Sequence, residues 1–465
     1  MSSYLFEEFD EVSAKQWKQK IQFDLKGADY NNTLISQTLE GININPFYHK
    51  DQEQTKPLTI PFHPKTWSIA QHIFIDSEKI ANKIAKDVLN RGAEALYFTS
   101  NKEFNIVTLF QNIDLKNLPI YINISFLSET FYKSLISFSE KNNATFYISL
   151  DIIGNLAKTG NWFKSQKEDH AKLDAILLHT SKPEGLLSID TSLYQNAGAN
   201  CVQQLAYSLA HANEYLNYIN NNEALRNSFK ESIIYFHIAT SSNYFFEIAK
   251  IRALRLLYAS LATEYGFNPK CHIVSKPSKR NKSIYDYNVN MLRTTTECMS
   301  SVLGGADTIC NLSYDAIYHK SNEFGERISR NQLLILKNES YFDTNKNPSK
   351  GSYFIETITK QLSEKALILF KEIESNGGLI TQLFEGTIQR KIKESAKREN
   401  ELFEKGEISL VGSNKHPNEN DLMKNELELF PFIKSNPRKT LIEPILEKRL
   451  SEKLEKERLE KENTL

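Results

Sequence analysis

The sequence predicts an α/β protein built on a parallel (β/α)8 TIM barrel, with an extended N-terminal arm and a helical C-terminal tail. Three observations carry this. Eight short β-branched or aromatic runs recur between Ser68 and Leu312. Helix-period apolar patterns lie between most of them. No hairpin dipeptide such as Asn-Gly joins one run to the next. Alternation of this kind, repeated about eight times over ~250 residues, fits a closed parallel barrel better than a sandwich, with an open doubly wound sheet as the competing architecture.

In chain order, Ser13 with Gln16 reads as a capping box, after which Trp17, Ile21 and Leu25 share one helical face until Gly27. Residues 41–64 contain Pro46, Pro57, Pro61 and Pro64 with little periodicity, which predicts an extended arm lying on its own domain or on a partner. The strand candidates follow: Ser68–Ile75, Ala95–Thr99, Ile120–Ser125, Thr145–Asp151, Leu186–Asp190, Ser232–Thr240, Cys271–Ser275 and Thr308–Leu312. A helix after the first candidate carries Ile80, Ala81, Ile84, Ala85, Val88 and Leu89 at i, i+3/i+4 spacing and stops at Gly92. The clearest later helices are Ala199–Ile219, Asn243–Tyr265 and Tyr285–Leu303. The second is apolar nearly all round, so it should be covered on two sides and should pair Arg252 or Arg255 with a buried acid. Glu385–Glu404 reads as a charged helix, 412–420 as a polar loop, and Thr440–Leu465 as a terminal helix with Glu452/Lys456 and Glu457/Lys461 at i,i+4. The terminal helix is either solvated or docked on a partner. The division that results is an arm and helix over 1–66, in contact with a partner, a barrel over 67–378, and a helical extension over 379–465.

Composition narrows the function classes. Among 465 residues, 57 Lys+Arg balance 57 Asp+Glu, which removes long-range attraction to nucleic acid as an explanation. No apolar stretch approaches the ~20 residues a membrane span needs. The acidic N-terminus, with Glu7, Glu8, Asp10 and Glu11, resembles neither a signal nor a transit peptide, so a cytoplasmic location is expected. The four cysteines, Cys201, Cys271, Cys298 and Cys310, form no CxxC pair and read as buried thiols in a reducing compartment.

Generic site motifs are scarce: no GxGxxG after a strand, no GxxxxGK[ST], no HExxH and no GxSxG. No histidine spacing suggests a metal site. A barrel places its chemistry at the carboxyl ends of its strands. There the sequence supplies Asp76, Ser77, Thr99, Ser100, Asp151, Asp190 to Tyr194, Thr240 to Asn243, Ser275, and Ser313 to Asp315. This is a hydroxyl-rich mouth without a convergent His and Arg set, and each Ser or Asp can equally cap the next helix. The basic cluster Lys276, Lys279, Arg280 and Lys282 could hold a phosphate-rich ligand such as coenzyme A, or stand as a solvated loop or subunit contact.

Two long strings are recognisable. Ser188-Ile-Asp-Thr-Ser-Leu-Tyr-Gln-Asn-Ala-Gly-Ala-Asn-Cys-Val-Gln-Gln-Leu-Ala-Tyr207 and Phe245-Phe-Glu-Ile-Ala-Lys-Ile-Arg-Ala-Leu-Arg-Leu-Leu257 resemble the barrel domain of the methylmalonyl-CoA mutase family. Further matches run in the same order: Glu40-Gly-Ile42 with Pro46 and Tyr48, Leu292-Arg-Thr-Thr-Thr-Glu297, Val302-Leu-Gly-Gly305, Glu326-Arg-Ile-Ser-Arg-Asn331, Gly351-Ser-Tyr353 and Val411-Gly-Ser-Asn-Lys415. The N-terminal strings Leu5-Phe-Glu-Glu-Phe9 and Lys15-Gln-Trp-Lys-Gln-Lys-Ile21 are similar to the small subunits of the heterodimeric bacterial enzymes.

The departures matter as much. Catalytic chains of the family carry Ser-Gly-Tyr-His-Met-Gln where this one has Asp190-Thr-Ser-Leu-Tyr-Gln195, so Ser192 and Leu193 take the places of the Tyr-His pair. Leu193 can neither donate a proton nor hydrogen-bond a thioester carbonyl. Arg-Gln-Tyr-Ala-Gly-Phe-Ser-Thr becomes Ala70-Gln-His-Ile-Phe-Ile-Asp-Ser77, with Ala70 for the arginine and His72 for the tyrosine that flanks substrate. The Met-Val-Arg-Asn-Thr string, whose arginine holds the substrate carboxylate, has no counterpart. None of the ten histidines begins the His-x-x-Gly of the cobalt-ligating signature. The resemblance therefore implies no catalytic, cofactor-binding or metal-binding residue here, degenerate positions at Ala70, His72, Ser192 and Leu193, and no flavodoxin-like cobalamin domain. It implies a non-catalytic small subunit that supports a large catalytic subunit, which holds adenosylcobalamin for interconversion of methylmalonyl-CoA and succinyl-CoA. The alternative is an active acyl-CoA mutase barrel that takes cobalamin from a separate small cobalamin-binding protein.

Overall fold

The computed structural model describes residues 8–51, 57–180, 185–344, 346–433 and 437–464. Leu5 to Glu7 of the N-terminal string, and 52–56 of the arm, lie outside the described residues. The eight strands are β1 Ser68–Phe74, β2 Ala95–Ser100, β3 Pro119–Ile124, β4 Thr145–Ile148, β5 Ser188–Asp190, β6 Ile234–Thr240, β7 Cys271–Pro277 and β8 Thr308–Cys310. All pair in parallel in the order β4-β3-β2-β1-β8-β7-β6-β5. The two ends meet through a parallel bridge between Leu150 and Leu187, which closes the barrel and excludes the open sheet. Each sequence run has become a strand, displaced by at most a few residues.

The two faces of every strand part by the period-two pleat. Outward, Ile69, Leu96, Phe98, Ile120, Ile122, Phe236, Ile273 and Ile309 join one core with the surrounding helices. Inward, Ala70, Ala95, Tyr97, Tyr121, Tyr235, Val274 and Cys310 bury against each other, with Tyr147 beside them. The bore is therefore filled by stacked rings: Tyr121 on Tyr147 at 4.9 Å and Tyr147 on His272 at 4.4 Å. Tyr121 also hydrogen-bonds His272 at 2.7 Å and Thr308 at 2.7 Å, so its buried hydroxyl is satisfied.

The helix Ala14–Asp24 carries the expected capping box, Ser13 with Gln16. Of its apolar stripe, Ile21 and Leu25 are half-buried and Trp17, 50% exposed, packs edge-on against Phe47, while Phe23, off the stripe, is 79% exposed. The arm lies partly on its own barrel, because Glu40 accepts from the Cys201 amide and the Leu39 carbonyl accepts from Asn200, at the start of helix Cys201–Asn220. Helix Tyr244–Tyr265 is covered by helices Cys201–Asn220, Val289–Gly304 and Tyr353–Ser375. Both of its arginines are paired internally, Arg252 with Glu356 at 2.7 Å and Arg255 with Asp307 at 2.6 Å. All four cysteines are buried and unbridged.

The C-terminal extension departs from the expectation of a helical tail. Helix Thr387–Glu404 forms, but the last helix spans only Glu452–Thr464. Residues 440–450 instead run as an irregular strap over the carboxyl ends of the strands. Leu441 donates to Gly160, Ile445 to Ala157, Lys448 to Asn196 and Leu450 to Arg280 along the way. Pro444 explains the break, since it lacks an amide hydrogen and keeps its predecessor extended. No helix among the described residues is long and apolar enough to cross a membrane.

Candidate functional site at the barrel mouth

A cavity of about 350 Å3 opens at the carboxyl ends of the strands. It lies at the small end of the ~300–1,000 Å3 range usual for small-molecule sites. The innermost inward residues form its floor: His72 of β1, Tyr97 and Thr99 of β2, Asp190 of β5, His237 of β6 and Lys276 of β7. Successive inward positions on a strand are two residues apart, which is why Tyr97 and Thr99, or His237 and the deeper Tyr235, stack in layers.

Asn123 donates to the Tyr97 hydroxyl at 3.2 Å, and the same hydroxyl is hydrogen-bonded to Nδ1 of His237 at 3.3 Å. Burial lowers the His237 pKa to about 4. Burial, with Lys276 and Lys279 nearby, lowers that of His72 to about 3, and its Nε2 bonds Thr99 at 2.9 Å. Both imidazoles are neutral at pH 7, so neither is a poised general acid. Glu326 reaches the same cavity, bonded to Gln71 and Ser321, and burial raises its pKa to about 7.

The four degenerate positions separate spatially. His72 and Ser192 line the mouth, where Ser192 hydrogen-bonds Asp190 through both its amide and its hydroxyl. Ala70 is one layer deeper, among the bore tyrosines. Leu193 is 3% exposed and belongs to the main hydrophobic core, turned to a neighbouring cavity of about 470 Å3 beneath the strap.

Several other strand-end residues are structural. Asp151 caps helix Ile152–Thr159 through the Gly154 amide and accepts from His211 at 2.9 Å and Tyr215 at 2.8 Å. The basic cluster divides: Lys276 and Lys279 line the mouth, whereas Arg280 and Lys282 are taken up in ion pairs. Arg280 pairs with Glu399 and Lys282 with Glu297, both buried; Lys276 lies over the Tyr97 ring at 3.3 Å; only Lys279 is well exposed. Sequence reasoning passed over Tyr97, His237 and Glu326. The period-two inward positions of β2 and β6 were the available signal for the first two.

The recognised strings hold the mouth in place. Lys250 of the second string is buried against Glu247 and donates to Gln195 and Gln204 of the first and to the Ala239 carbonyl. Gly198 adopts φ +102°, and a side chain there would meet Ala396 at 2.5 Å and Arg280 at 2.9 Å.

A closed parallel barrel with a polar cavity at the carboxyl ends of its strands is the architecture of the barrel enzymes. The model of the family described as methylmalonyl-CoA mutase matches residues 99–461. The chain is 33% identical over 91% of its length to the methylmalonyl-CoA mutase small subunit of Porphyromonas gingivalis, of which it covers 73%. It is 27% identical to the small subunit from Streptomyces virginiae, over 83% of this chain and 67% of that protein. It is 25% identical to the methylmalonyl-CoA mutase of Cereibacter sphaeroides, over 86% of this chain and 64% of that protein. The chain belongs to the methylmalonyl-CoA mutase family.

Proposed function

We propose that this chain is the non-catalytic small subunit of a heterodimeric, cytoplasmic methylmalonyl-CoA mutase, supporting a large subunit that binds adenosylcobalamin and carries out the isomerisation. The observation that carries this is Leu193. It stands where the family's catalytic chains have histidine, and it is packed into the core. The surroundings agree, because the bore is filled with aromatic rings and the mouth is crossed by the strap. A corrin ring cannot lie on the mouth while the strap is fastened there, so the residues at this mouth do not fit cobalamin.

Restoring the lost pair should not restore turnover. Ser192→Tyr/Leu193→His is expected to stay inactive with methylmalonyl-CoA and adenosylcobalamin, since a histidine at 193 faces the neighbouring cavity beneath the strap rather than the mouth. Measurable turnover by the isolated double variant would show that the rest of the site is intact, and turnover by the wild-type chain alone would overturn the non-catalytic reading.

Assembly is tested by co-expression with a candidate large subunit and size-exclusion chromatography. A 1:1 complex is expected, with the exposed rings of helix Ala14–Asp24 at its interface. Trp17→Ala/Phe23→Ala should weaken it at least about tenfold, the scale of losing an aromatic anchor. The melting temperature of the free chain should change little, as Phe23 is 79% exposed and the half-exposed Trp17 keeps only an edge-on contact with Phe47. These substitutions separate assembly from folding better than deletion of the arm, which would remove Glu40 from the start of helix Cys201–Asn220. Unchanged affinity would remove this helix from the interface.

A further inference from the structure

The strap bridges the barrel mouth from one side to the other. On the first side Leu441 and Ile442 donate to the Gly160 carbonyl and Ile445 to that of Ala157, at the end of helix Ile152–Thr159. On the far side Lys448 donates to Asn196, and Arg280 donates to the Lys448 carbonyl at 2.8 Å. Ile442 and Ile445 are buried footholds, whereas Leu446 is 45% exposed. No helix or strand forms over 440–450, so no ladder of its own stiffens the span. The cavities of about 350 and 470 Å3 share Lys158, Asn196, Lys279, Ala316 and Glu447, which makes them one chamber with the strap as its roof. A segment laid over a cavity lacks the dispersion contacts that hold a packed one, and such segments open locally.

One strap residue reaches into the chamber with a charge. Glu447 accepts from Nδ2 of Asn196 at 3.4 Å and lies 3.8 Å from the Lys279 ammonium. The Lys279 and Glu447 side chains are 55% and 35% exposed, the setting of a weak ion pair. Glu443 adds a fastening outside the mouth, its carboxylate on Lys393 and its carbonyl on Gln389. Beyond Lys448 the chain is held differently. Arg449 is buried, pairs with Glu455 and donates to the carbonyls of Pro431 and Lys282, so the movable part ends at Lys448.

We propose that residues 440–448 are a gate that opens and closes on the folded barrel, latched across the mouth by Glu447, and that the closed gate is autoinhibitory because it sets a carboxylate of the chain itself against Lys279. Whatever approaches Lys279 must first displace Glu447. The barrel does not depend on the gate. Its eight strands pair with one another, and the bridge from Leu150 to Leu187 closes the ring without any strap residue.

The test is maleimide labelling of Ser192→Cys in the full chain. Ser192 lines the mouth, and all four native cysteines are buried. Labelling should be slow with the gate intact. It should rise at least about tenfold when Ile445→Ala is added, since that removes a buried foothold. Adding Glu447→Gln instead should raise it about two- to fivefold, the range of an exposed ion pair. Should Ile445→Ala not fold, hydrogen exchange of the wild-type chain replaces it. The amides of Ile445 and Lys448 should then exchange through an opening that leaves the amides of β2 and β3 protected. Labelling of Ser192→Cys at the rate of a free thiol with the gate intact would overturn the proposal. So would labelling unaltered by Ile445→Ala or by Glu447→Gln, or exchange of Ile445 and Lys448 only together with the strands.

Discussion

Lys282→Ala is expected to destabilise the chain by about 3–5 kcal/mol, the usual consequence of stranding one member of a buried ion pair. Both side chains are 1% exposed, and Lys282 meets the two carboxylate oxygens of Glu297 at 2.8 and 2.7 Å. Asn281 supplies one further donor at 2.6 Å, too little to compensate a bare carboxylate. The sign of the pH dependence follows from the pair. Burial pushes the Glu297 pKa above its ordinary value even against the attraction of Lys282, so the folded state holds that proton more tightly than the unfolded chain. Such a contribution is full below the unfolded carboxyl pKa and is lost as pH rises through the folded one. Removing Lys282 lifts the folded value further. Urea denaturation should therefore show a larger deficit at pH 8 than at pH 5, and Glu297→Gln in the same chain should recover part of it. A pH-independent loss below about 1 kcal/mol would contradict the assignment, since it falls in the range of exposed pairs.

Arg255→Ala should cost a similar amount, about 3–5 kcal/mol, with the opposite response to acid. Its guanidinium donates to the Gly305 carbonyl at 3.1 and 2.8 Å, to the Cys271 carbonyl at 3.1 Å and to Asp307 at 2.6 Å. Asp307 also accepts from the Ile273 amide, while its own carbonyl accepts from Ser68, so one arginine ties together the starts of β1, β7 and β8. Burial pushes the Asp307 carboxyl up, and the attraction of Arg255 and then His272 more than offsets this, leaving it below the ordinary range. The stability this confers is present above the unfolded aspartate pKa and is lost as pH falls through the folded value. Acid unfolding curves should be flatter in Arg255→Ala than in the wild type. Equal slopes would assign the loss to the three carbonyl bonds alone.

How far the sequence could be read depended on the range of the determining contacts. Strands were legible because eight short runs and their pleat are local properties, and the capping box at Ser13 because it spans four residues. Arg252 and Arg255 were legible because an all-round apolar helix leaves a cation no solvent. Within the basic cluster, Arg280 was not legible because its partner lies far along the chain, Glu399 being 119 residues away. The tail was misread because the i,i+4 pairs after Glu452 are genuine helix signals, whereas contacts with Gly160, Ala157 and Asn196 fix the preceding segment. Ser192 and Leu193 were placed by resemblance alone. Only the structure separates a serine at the mouth from a leucine in the core.

The strap also sets an order of events in folding. Its bonds join residues 280 positions apart between Leu441 and Asn161, and 168 apart between Arg280 and Lys448. Contacts of such range carry the entropy of closing very long loops and give nothing back until their landing points exist. Gly160, Ala157, Asn196 and Arg280 are brought together only when the barrel has closed. The barrel must therefore form first with an open mouth, and the strap is laid across it as a late step. Run backwards, the same logic makes the strap an early element to peel away, so the interior of the mouth becomes accessible through a local opening long before the strands separate.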